Sequence, residues 1–197
     1  MKTRVNTLLQ KSSRSMLHLT LLRGVAAVPL LAAGGASASD PDQEQASHAH
    51  GDAPAKLVQI VRDATRQFIN VNAATAAGYE PLFGCISGPD HGAMGVHYIN
   101  LDLVKRGDLD ALQPQALIYE PSKGRLRLVG VEFILDFATW LAHHDSPPML
   151  EGQAFQFITS PNRYALPALF ELHVWAWRDN PNGAFVDWNN QVTCEGQ

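Results

Sequence analysis

Apolar residues recur with helical spacing in the segment that follows Asp52, and polar residues fall between them. Spacings of three and four residues are typical of an amphipathic helix, since such positions fall on one side of it. Asp52 is a good capping residue, Pro54 suits a first helical turn, and Gly78 favours a helix end. We therefore predict one amphipathic helix of about 20 residues that packs against the rest of the domain. Its inward face comprises Leu57, Ile60, Val61, Ala64, Phe68, Val71 and Thr75.

From residue 95 onward the alternation has a period of two, which is typical of β-strands. A hairpin turn is predicted at 121–124 and a short helix within 136–144. These elements predict an α+β fold, with the N-terminal helix packed on a curved, mainly antiparallel sheet that is barrel- or sandwich-like. Residues 53–197 are interpreted as a single globular domain. The predicted strands cover 95–103, 116–120, 125–134, 152–158 and 168–177.

Residues 1–38 have the pattern of a secretory signal peptide. Five basic residues precede an apolar run at 25–33, and Ala36-Ser-Ala38 offers small residues to a signal peptidase. The apolar run is shorter than the roughly 20 residues that span a bilayer, so cleavage is favoured over an uncleaved anchor. We therefore predict an exported bacterial protein, periplasmic or extracellular, with no stable membrane span after cleavage. Residues 39–52 are polar and predict a disordered tail.

Charge and cysteine content narrow the function classes. All 19 acidic residues follow Ala38, but only 10 of the 15 basic ones do. The chain after Ala38 therefore has a net charge near −9 with its histidines neutral, which argues against nucleic acid as a partner. The two cysteines, Cys85 and Cys194, are predicted to pair in an oxidising compartment. The bridge would close a loop of 109 positions, and in the chain-entropy model such a bridge stabilises the fold by roughly 4–5 kcal/mol. The alternative is a free Cys85 thiol that acts as a nucleophile.

Several polar residues lie on predicted apolar faces, where they suggest a metal site. His97 shares a face with Ile99, and Glu132 shares one with Leu126, Leu128, Gly130 and Ile134; His173 lies in the last strand between Glu171 and Trp175. An ionised carboxylate on a buried face needs a partner, a metal or a proton. Imidazole and carboxylate ligands suit a divalent transition metal, either zinc, iron, manganese or copper. The candidate ligands are His91, His97, Glu132 and His173.

Each candidate also has a structural interpretation. His97 could bond to a backbone carbonyl, Glu132 could pair with Arg163 or Arg178, and His173 could pack on tryptophans. A small apolar ligand is the other candidate occupant, held in a pocket formed by Tyr98, Trp175 and Trp177. The pair His143-His144 beside Asp145 is more typical of an exposed helix end. The sequence contains no Gly-x-Ser-x-Gly nucleophile motif and no glycine-rich phosphate loop.

Five segments of the chain form a recognisable set of motifs: Cys-Ile-Ser-Gly-Pro (85–89), Gly-Ala-Met-Gly-Val-His-Tyr-Ile-Asn (92–100), Pro-Gln-Ala-Leu-Ile-Tyr-Glu-Pro (114–121), Leu-Val-Gly-Val-Glu-Phe (128–133) and Glu-Leu-His-Val-Trp-Ala-Trp-Arg-Asp-Asn-Pro-Asn-Gly (171–183). In these segments the chain resembles a group of small exported bacterial proteins of unassigned activity, and the resemblance implies a compartment but no reaction. A looser analogy exists with cupin metal sites, which use two histidines, a glutamate and a later histidine. The spacing differs, because Glu132 follows His97 by 35 positions.

Three hypotheses follow from the sequence. The first is a secreted metal-dependent protein, which as an enzyme would use a metal-bound water or dioxygen. The second is a metal-free module that binds a small apolar ligand, and the third is an envelope interaction protein whose histidines are structural. Whether the protein catalyses a reaction, and in which oligomeric state it acts, stays open between these hypotheses.

Overall fold

The computed structural model describes residues 56–195, so the predicted signal peptide and polar tail lie outside the described residues. The described part opens with helix α1 at 56–65, a 3-10 turn at Arg66–Ile69 and helix α2 at Val71–Ala76. The prediction of one continuous helix is therefore wrong at Asn70. This residue has an extended backbone, and its side chain accepts a hydrogen bond from the Asn72 amide, which caps α2 and separates it from the preceding turn.

A mostly antiparallel sheet of seven strands dominates the described part. Its order is β1-β3-β4-β5-β9-β8, with β2 paired to β3 outside this path, and β6 and β7 form a separate hairpin. The helices α3 and α4 cover Leu101–Arg106 and Phe137–Leu141. The strands are β1 Glu80–Pro81, β2 Ile86–Gly88, β3 Gly92–Ile99, β4 Ala116–Ser122, β5 Arg125–Asp136, β6 Met149–Leu150, β7 Gln153–Ala154, β8 Gln156–Ile158 and β9 Leu169–Val174.

The mixed architecture and the antiparallel sheet agree with the prediction, but closure into a barrel does not occur. Strands β1 and β8 lie at opposite edges of the sheet and are only two and three residues long. A barrel requires its edge strands to pair along their length, which such short segments do not provide. Within the described residues, no helix combines the length and the apolar character that crossing a membrane demands.

Two capping residues end strands earlier or later than the alternation predicted. Strand β3 stops at Ile99, because the Asn100 side chain accepts hydrogen bonds from the amides of Asp102 and Leu103 and starts α3. Strand β5 continues to Asp136, whose side chain accepts from the Thr139 amide and caps α4. The predicted strand over 95–103 is therefore wrong beyond 99, whereas the short helix predicted within 136–144 is present.

A β-bulge between β4 and β5 decides which face each residue of β5 occupies. Ile118 pairs with Gly130 but Tyr119 pairs with Leu128, so Val129 is an extra residue. Leu128 consequently joins the main core with Tyr119, whereas Val129 packs with Ile118 on the other side. The predicted shared face of Leu126, Leu128 and Glu132 is wrong for this reason, because the bulge moves Leu126 and Leu128 to the opposite face.

The main core lies against one face of the sheet, and the other face carries a smaller apolar cluster together with polar side chains. Leu57 and Val61 of α1 are buried in the same cluster as Leu117, Val131 and Phe133. Because side chains alternate along a strand, Glu132 must point away from this cluster. The opposite face of the sheet is therefore where the candidate site has to be sought.

Candidate metal centre

Three strands place His97, Glu132 and His173 together on the face opposite the main core. Glu132 of β5 is paired directly with His173 of β9 and, on its other side, with Ala116 of β4. His97 of β3 lies diagonally beyond Ala116, whose pairing partner in β3 is Ile99. Since alanine carries only a methyl group, the His97 imidazole can reach across β4, and its Nε2 lies 3.4 Å from Glu132 Oε2.

The three side chains are close enough together to hold one ion. One ligand atom from each lies within 4.8 Å of the others, and all three residues are buried. The two imidazoles meet edge to face, with ring centroids 5.8 Å apart. Ligand atoms around a tetrahedral ion are roughly 3.4 Å apart when each lies about 2.1 Å from the metal. The His97–Glu132 separation already has this value, and the other two ligand pairs are no more than 4.8 Å apart.

Unpartnered imidazole nitrogens distinguish this cluster from an ordinary buried polar network. His97 Nδ1, His173 Nδ1 and His173 Nε2 are buried without a hydrogen-bond partner, and Arg178 Nε is the other side-chain atom so found among the described residues. Buried polar atoms are hydrogen-bonded in the great majority of cases, because an unpaired one costs free energy. An ion or a further polar group bound beside these atoms would remove that cost.

A second carboxylate, that of Asp187, lies next to the His173 ring. Asp187 Oδ1 lies 3.5 Å from His173 Nδ1, which is longer than an ordinary hydrogen bond and is best described as an electrostatic contact. Gln156 of β8 donates to Asp187 at 2.6 Å and holds the carboxylate in place. Metal-binding histidines commonly present their second ring nitrogen to a carboxylate, which fixes the ring. This arrangement leaves His173 Nε2 as the nitrogen free to bind a metal.

Burial and neighbouring charges shift the pKa values of the cluster in opposite directions. Burial lowers the pKa of His97, against the opposing charge of Glu132, and favours the neutral imidazole that metals bind. Burial also acts to lower the pKa of His173, but the carboxylates of Glu132, Glu171 and Asp187 outweigh it and raise the pKa to about 9. Burial, and then the charge of Glu132, raise the pKa of Glu171 to about 9.

These shifts show an excess of buried negative charge around His173. In the metal-free protein, protons on His173 and Glu171 compensate that excess at neutral pH. A divalent cation supplies the same positive charge, and metal binding displaces protons from its ligands. The site is therefore electrostatically suited to a cation and unsuited to an anion.

The cluster opens on a small apolar cavity of about 50 Å³. Its walls come from the segments that follow β1 and β8 and from the strands beside the cluster. The polar side chains of the lining are those of His97, Glu132, Tyr164, Glu171 and His173, and the other lining residues are apolar. Its apolar lining includes Phe83, Ile86, Met94, Ile158, Leu166 and Leu169.

The structure does not bring His91 to the other three candidate ligands. His91 is exposed in the turn between β2 and β3, next to Trp188 with ring centroids 6.3 Å apart. His144, from the His143-His144 pair, is exposed and stacks on Trp140, with ring centroids 3.7 Å apart. The arginines that the structural interpretation offered to Glu132 lie elsewhere: Arg163 stacks over Trp188, and Arg178 donates to Gln191.

The three aromatic residues predicted to form a ligand pocket occupy different places. Trp175 is buried beside the site, nearly parallel to His173, with ring centroids 6.4 Å apart. Tyr98 packs edge to face on Tyr119, which belongs to the main core. Trp177 packs against the same core, and its indole donates to Thr65 at 3.0 Å. Only Trp175 is therefore a neighbour of the cluster.

Cys85 and Cys194 lie at disulfide-bonding distance, with Cα atoms 5.6 Å apart, and pair as the sequence predicted. The pair ties the C-terminal segment to β2, because Cys85 directly precedes it. Its neighbour Ile86 lines the cavity. The disulfide therefore fixes one wall of the candidate site.

Two carboxylates of the site were absent from the predicted ligand set. Glu171 shares a face with His173 in β9, so the alternation of the strand already placed it nearby. Asp187 lies in an irregular segment after β9, where no periodicity indicates which way a side chain points.

No family model, curated protein or solved structure matches the chain. The case for the site therefore rests on its own geometry.

Proposed function

We propose that the protein is an exported metal-binding protein in which His97, Glu132 and His173 hold one divalent transition-metal ion. The observation that carries the proposal is the convergence of three buried ligand atoms within 4.8 Å, together with His173 Nε2, which is buried without a hydrogen-bond partner. Its export is supported by the signal-like pattern of residues 1–38 and by the paired cysteines, which are compatible with an oxidising compartment.

The donor set restricts the metal and leaves room for chemistry. Two imidazoles and one carboxylate suit zinc or iron, and also manganese or copper. Three protein ligands leave a coordination position open, and the adjoining cavity gives that position access to a small molecule. We therefore extend the proposal to a metal-dependent enzyme, in which the metal supplies Lewis acidity or an activated bound water.

The remaining residues of the site have distinct tasks under this proposal. Asp187 orients the His173 ring, as its 3.5 Å contact with Nδ1 supports. The apolar walls limit water and so strengthen electrostatic interactions at the metal. Glu171 forms a second group with His173 and Asp187 and lines the cavity, where it can hold a proton next to the reacting position.

Metal titration of chelator-stripped protein tests the proposal. The unmodified protein should bind one equivalent of Zn²⁺, and the variants His97→Ala, Glu132→Gln and His173→Ala should each lose stoichiometric binding. His144→Ala is the matched control, because this histidine is exposed and stacks on Trp140 away from the cluster. Circular dichroism and thiol titration establish that each variant keeps its fold and its disulfide.

The competing function is a metal-free module that holds a small apolar ligand. The apolar lining of the cavity favours it, since aliphatic side chains surround the space beside the cluster. The same titration separates the two functions. Folded protein that takes up no Zn²⁺, Fe²⁺, Mn²⁺ or Cu²⁺ would overturn the metal site and leave the apolar-ligand module as the function to pursue.

A further inference from the structure

A second cavity of about 160 Å³ adjoins the one that opens on the candidate metal centre. The two cavities share four lining residues, so they are neighbouring parts of one groove, which we term the apolar groove. Its outer part is lined by segments that precede β9 and by α3. The shared residues are Ile99, Ile134, Leu166 and Leu169.

The strand pattern explains why the apolar groove continues from the metal centre. Along β5, Glu132, Ile134 and Asp136 fall on one face at successive alternate positions. Along β3, His97 and Ile99 do the same. Stepping two residues from His97 or Glu132 along its strand therefore leads to an aliphatic side chain, whereas the same step from His173 leads to Glu171, which is paired with Ile134.

Polarity in the apolar groove is confined to one end. The inner part is lined by five ionisable side chains, His97, Glu132, Tyr164, Glu171 and His173, whereas Asp136 is the one ionisable side chain that the described residues place in the outer lining. The Asp136 carboxylate is already engaged, because it accepts from the Thr139 amide at 2.7 Å and caps α4. Leu82 and Leu101 line the outer part and are 46% and 49% exposed, so they form its mouth.

We propose that the apolar groove binds a straight-chain aliphatic molecule whose oxygen-bearing head group reaches the metal and whose hydrocarbon tail lies over Ile99, Ile134 and Leu166. This inference rests on the proposed metal function, because the metal is the partner of the head group. A sugar or a peptide fits less well, since among the described residues Asp136 is the one side chain of the outer lining that could partner its several polar groups. A tail of methylene groups needs no such partner.

The inference predicts how affinity depends on chain length. Straight-chain alkyl hydroxamates, from acetohydroxamate to decanohydroxamate, serve as probes, because the hydroxamate binds metals through oxygen whatever its tail. Calorimetric titration of the metal-loaded protein should show affinity rising about fourfold with each added methylene. The rise should stop when the tail has filled the outer part of the groove.

Two variants locate the tail. Ala168→Phe places a ring in the outer part and should end the rise at a shorter chain, without changing metal content or the affinity for acetohydroxamate. Leu101→Gln, at the exposed mouth, should weaken binding of the longest probes several-fold and carries little risk to folding. Leu112→Gln is its control, because Leu112 is 61% exposed and does not line the groove.

The outcomes separate this inference from the proposed function. Metal-loaded protein whose affinity is flat from acetohydroxamate to decanohydroxamate overturns the inference and leaves the metal site standing. A chain-length dependence that Leu101→Gln and Leu112→Gln alter equally also overturns it, because the tail then lies elsewhere. Protein that takes up no metal overturns both, since the head group would have no partner.

Discussion

At the scale of single residues, the site depends on where His173 points. Its Nδ1 lies against Asp187, and its Nε2 is buried without a partner beside Glu132. A ring with one nitrogen engaged holds the other in a fixed direction. Under the proposed metal site, Asp187 would therefore act through the histidine, by orienting its ring.

Asp187→Asn tests this positioning role. The amide keeps the size of the side chain but loses the charge that holds the His173 ring, so metal affinity should fall about 10- to 100-fold. Competition titration against a chelator of known affinity measures the change. Asp145→Asn, in an exposed loop, is the control and should leave metal affinity unchanged. An Asp187→Asn protein with unaltered metal affinity would show that Asp187 does not orient a ligand.

The sequence predicted three of the cluster's members for a physical reason. His97, Glu132 and His173 each interrupt an apolar strand face, and a buried polar residue needs a partner. His91 has no such context, because it lies in a turn rich in glycine and proline. Asp187 escaped prediction for the converse reason, since an irregular segment carries no periodicity that assigns a face to its side chain.

At the scale of elements, close backbone approach shapes β3 next to the site. Gly95 has φ +111°, and a methyl group added there would meet the carbonyl oxygen of Tyr119 at 2.7 Å. Gly95 lies two residues before His97 in the same strand. The glycine therefore allows β3 to approach β4 closely enough to align His97 with the cluster.

Gly95→Ala and Gly124→Ala form a matched pair. Both glycines have positive φ, but Gly124 lies in the β4–β5 turn with no heavy atom within 4 Å of an added methyl. Gly124→Ala should lower the free energy of unfolding by about 1–2 kcal/mol from backbone strain alone. Gly95→Ala should cost about 1–3 kcal/mol more than that, because it adds a steric clash. Urea denaturation measures both, and equal costs would contradict the proposed close approach.

Element boundaries departed from the periodic pattern wherever a side chain captured the backbone. Asn70 and Asn100 each accept hydrogen bonds from amides two or three residues ahead, and each starts a new helix. Periodicity does not contain this information, because the residues beyond Asn100 keep alternating as a strand would. The bulge at Val129 is likewise invisible to alternation, since it shifts the register by one residue while the residues on both sides stay apolar.

At the scale of the whole molecule, the disulfide connects distant parts of the chain around the site. Cys85 and Cys194 are 109 positions apart, and the bridge joins β2 to the C-terminal segment. The ligands themselves come from β3, β5 and β9, which pair through the sheet rather than through the bridge. Overall stability and metal binding should therefore respond differently to loss of the disulfide.

Replacing both cysteines by alanine tests that separation. The free energy of unfolding should fall by about 2–5 kcal/mol, because the unfolded chain regains the freedom that the bridge removes. The folded fraction of the variant should still bind one equivalent of metal. Urea denaturation followed by metal titration below the transition measures both. A variant of undiminished stability would contradict the structural role of the bridge.

The overall fold was predictable as a class but not in its closure. Segments in which apolar and polar residues alternate predicted an antiparallel sheet, and apolar residues at helical spacing predicted the N-terminal helix. Whether such a sheet closes depends on pairing between its first and last strands, and the two short edge strands β1 and β8 carry no distinct pattern. Long-range pairing of this kind has no local signature in the chain.

Elemental analysis of the exported protein tests the central claim most directly. The protein should be purified from its own compartment without a chelator and without a histidine tag, together with its Glu132→Gln variant. The account predicts about one transition-metal ion per chain in the unmodified protein and none in the variant. Folded, disulfide-bonded protein that contains no metal and takes up none on titration would contradict it, and His97, Glu132 and His173 would then be structural.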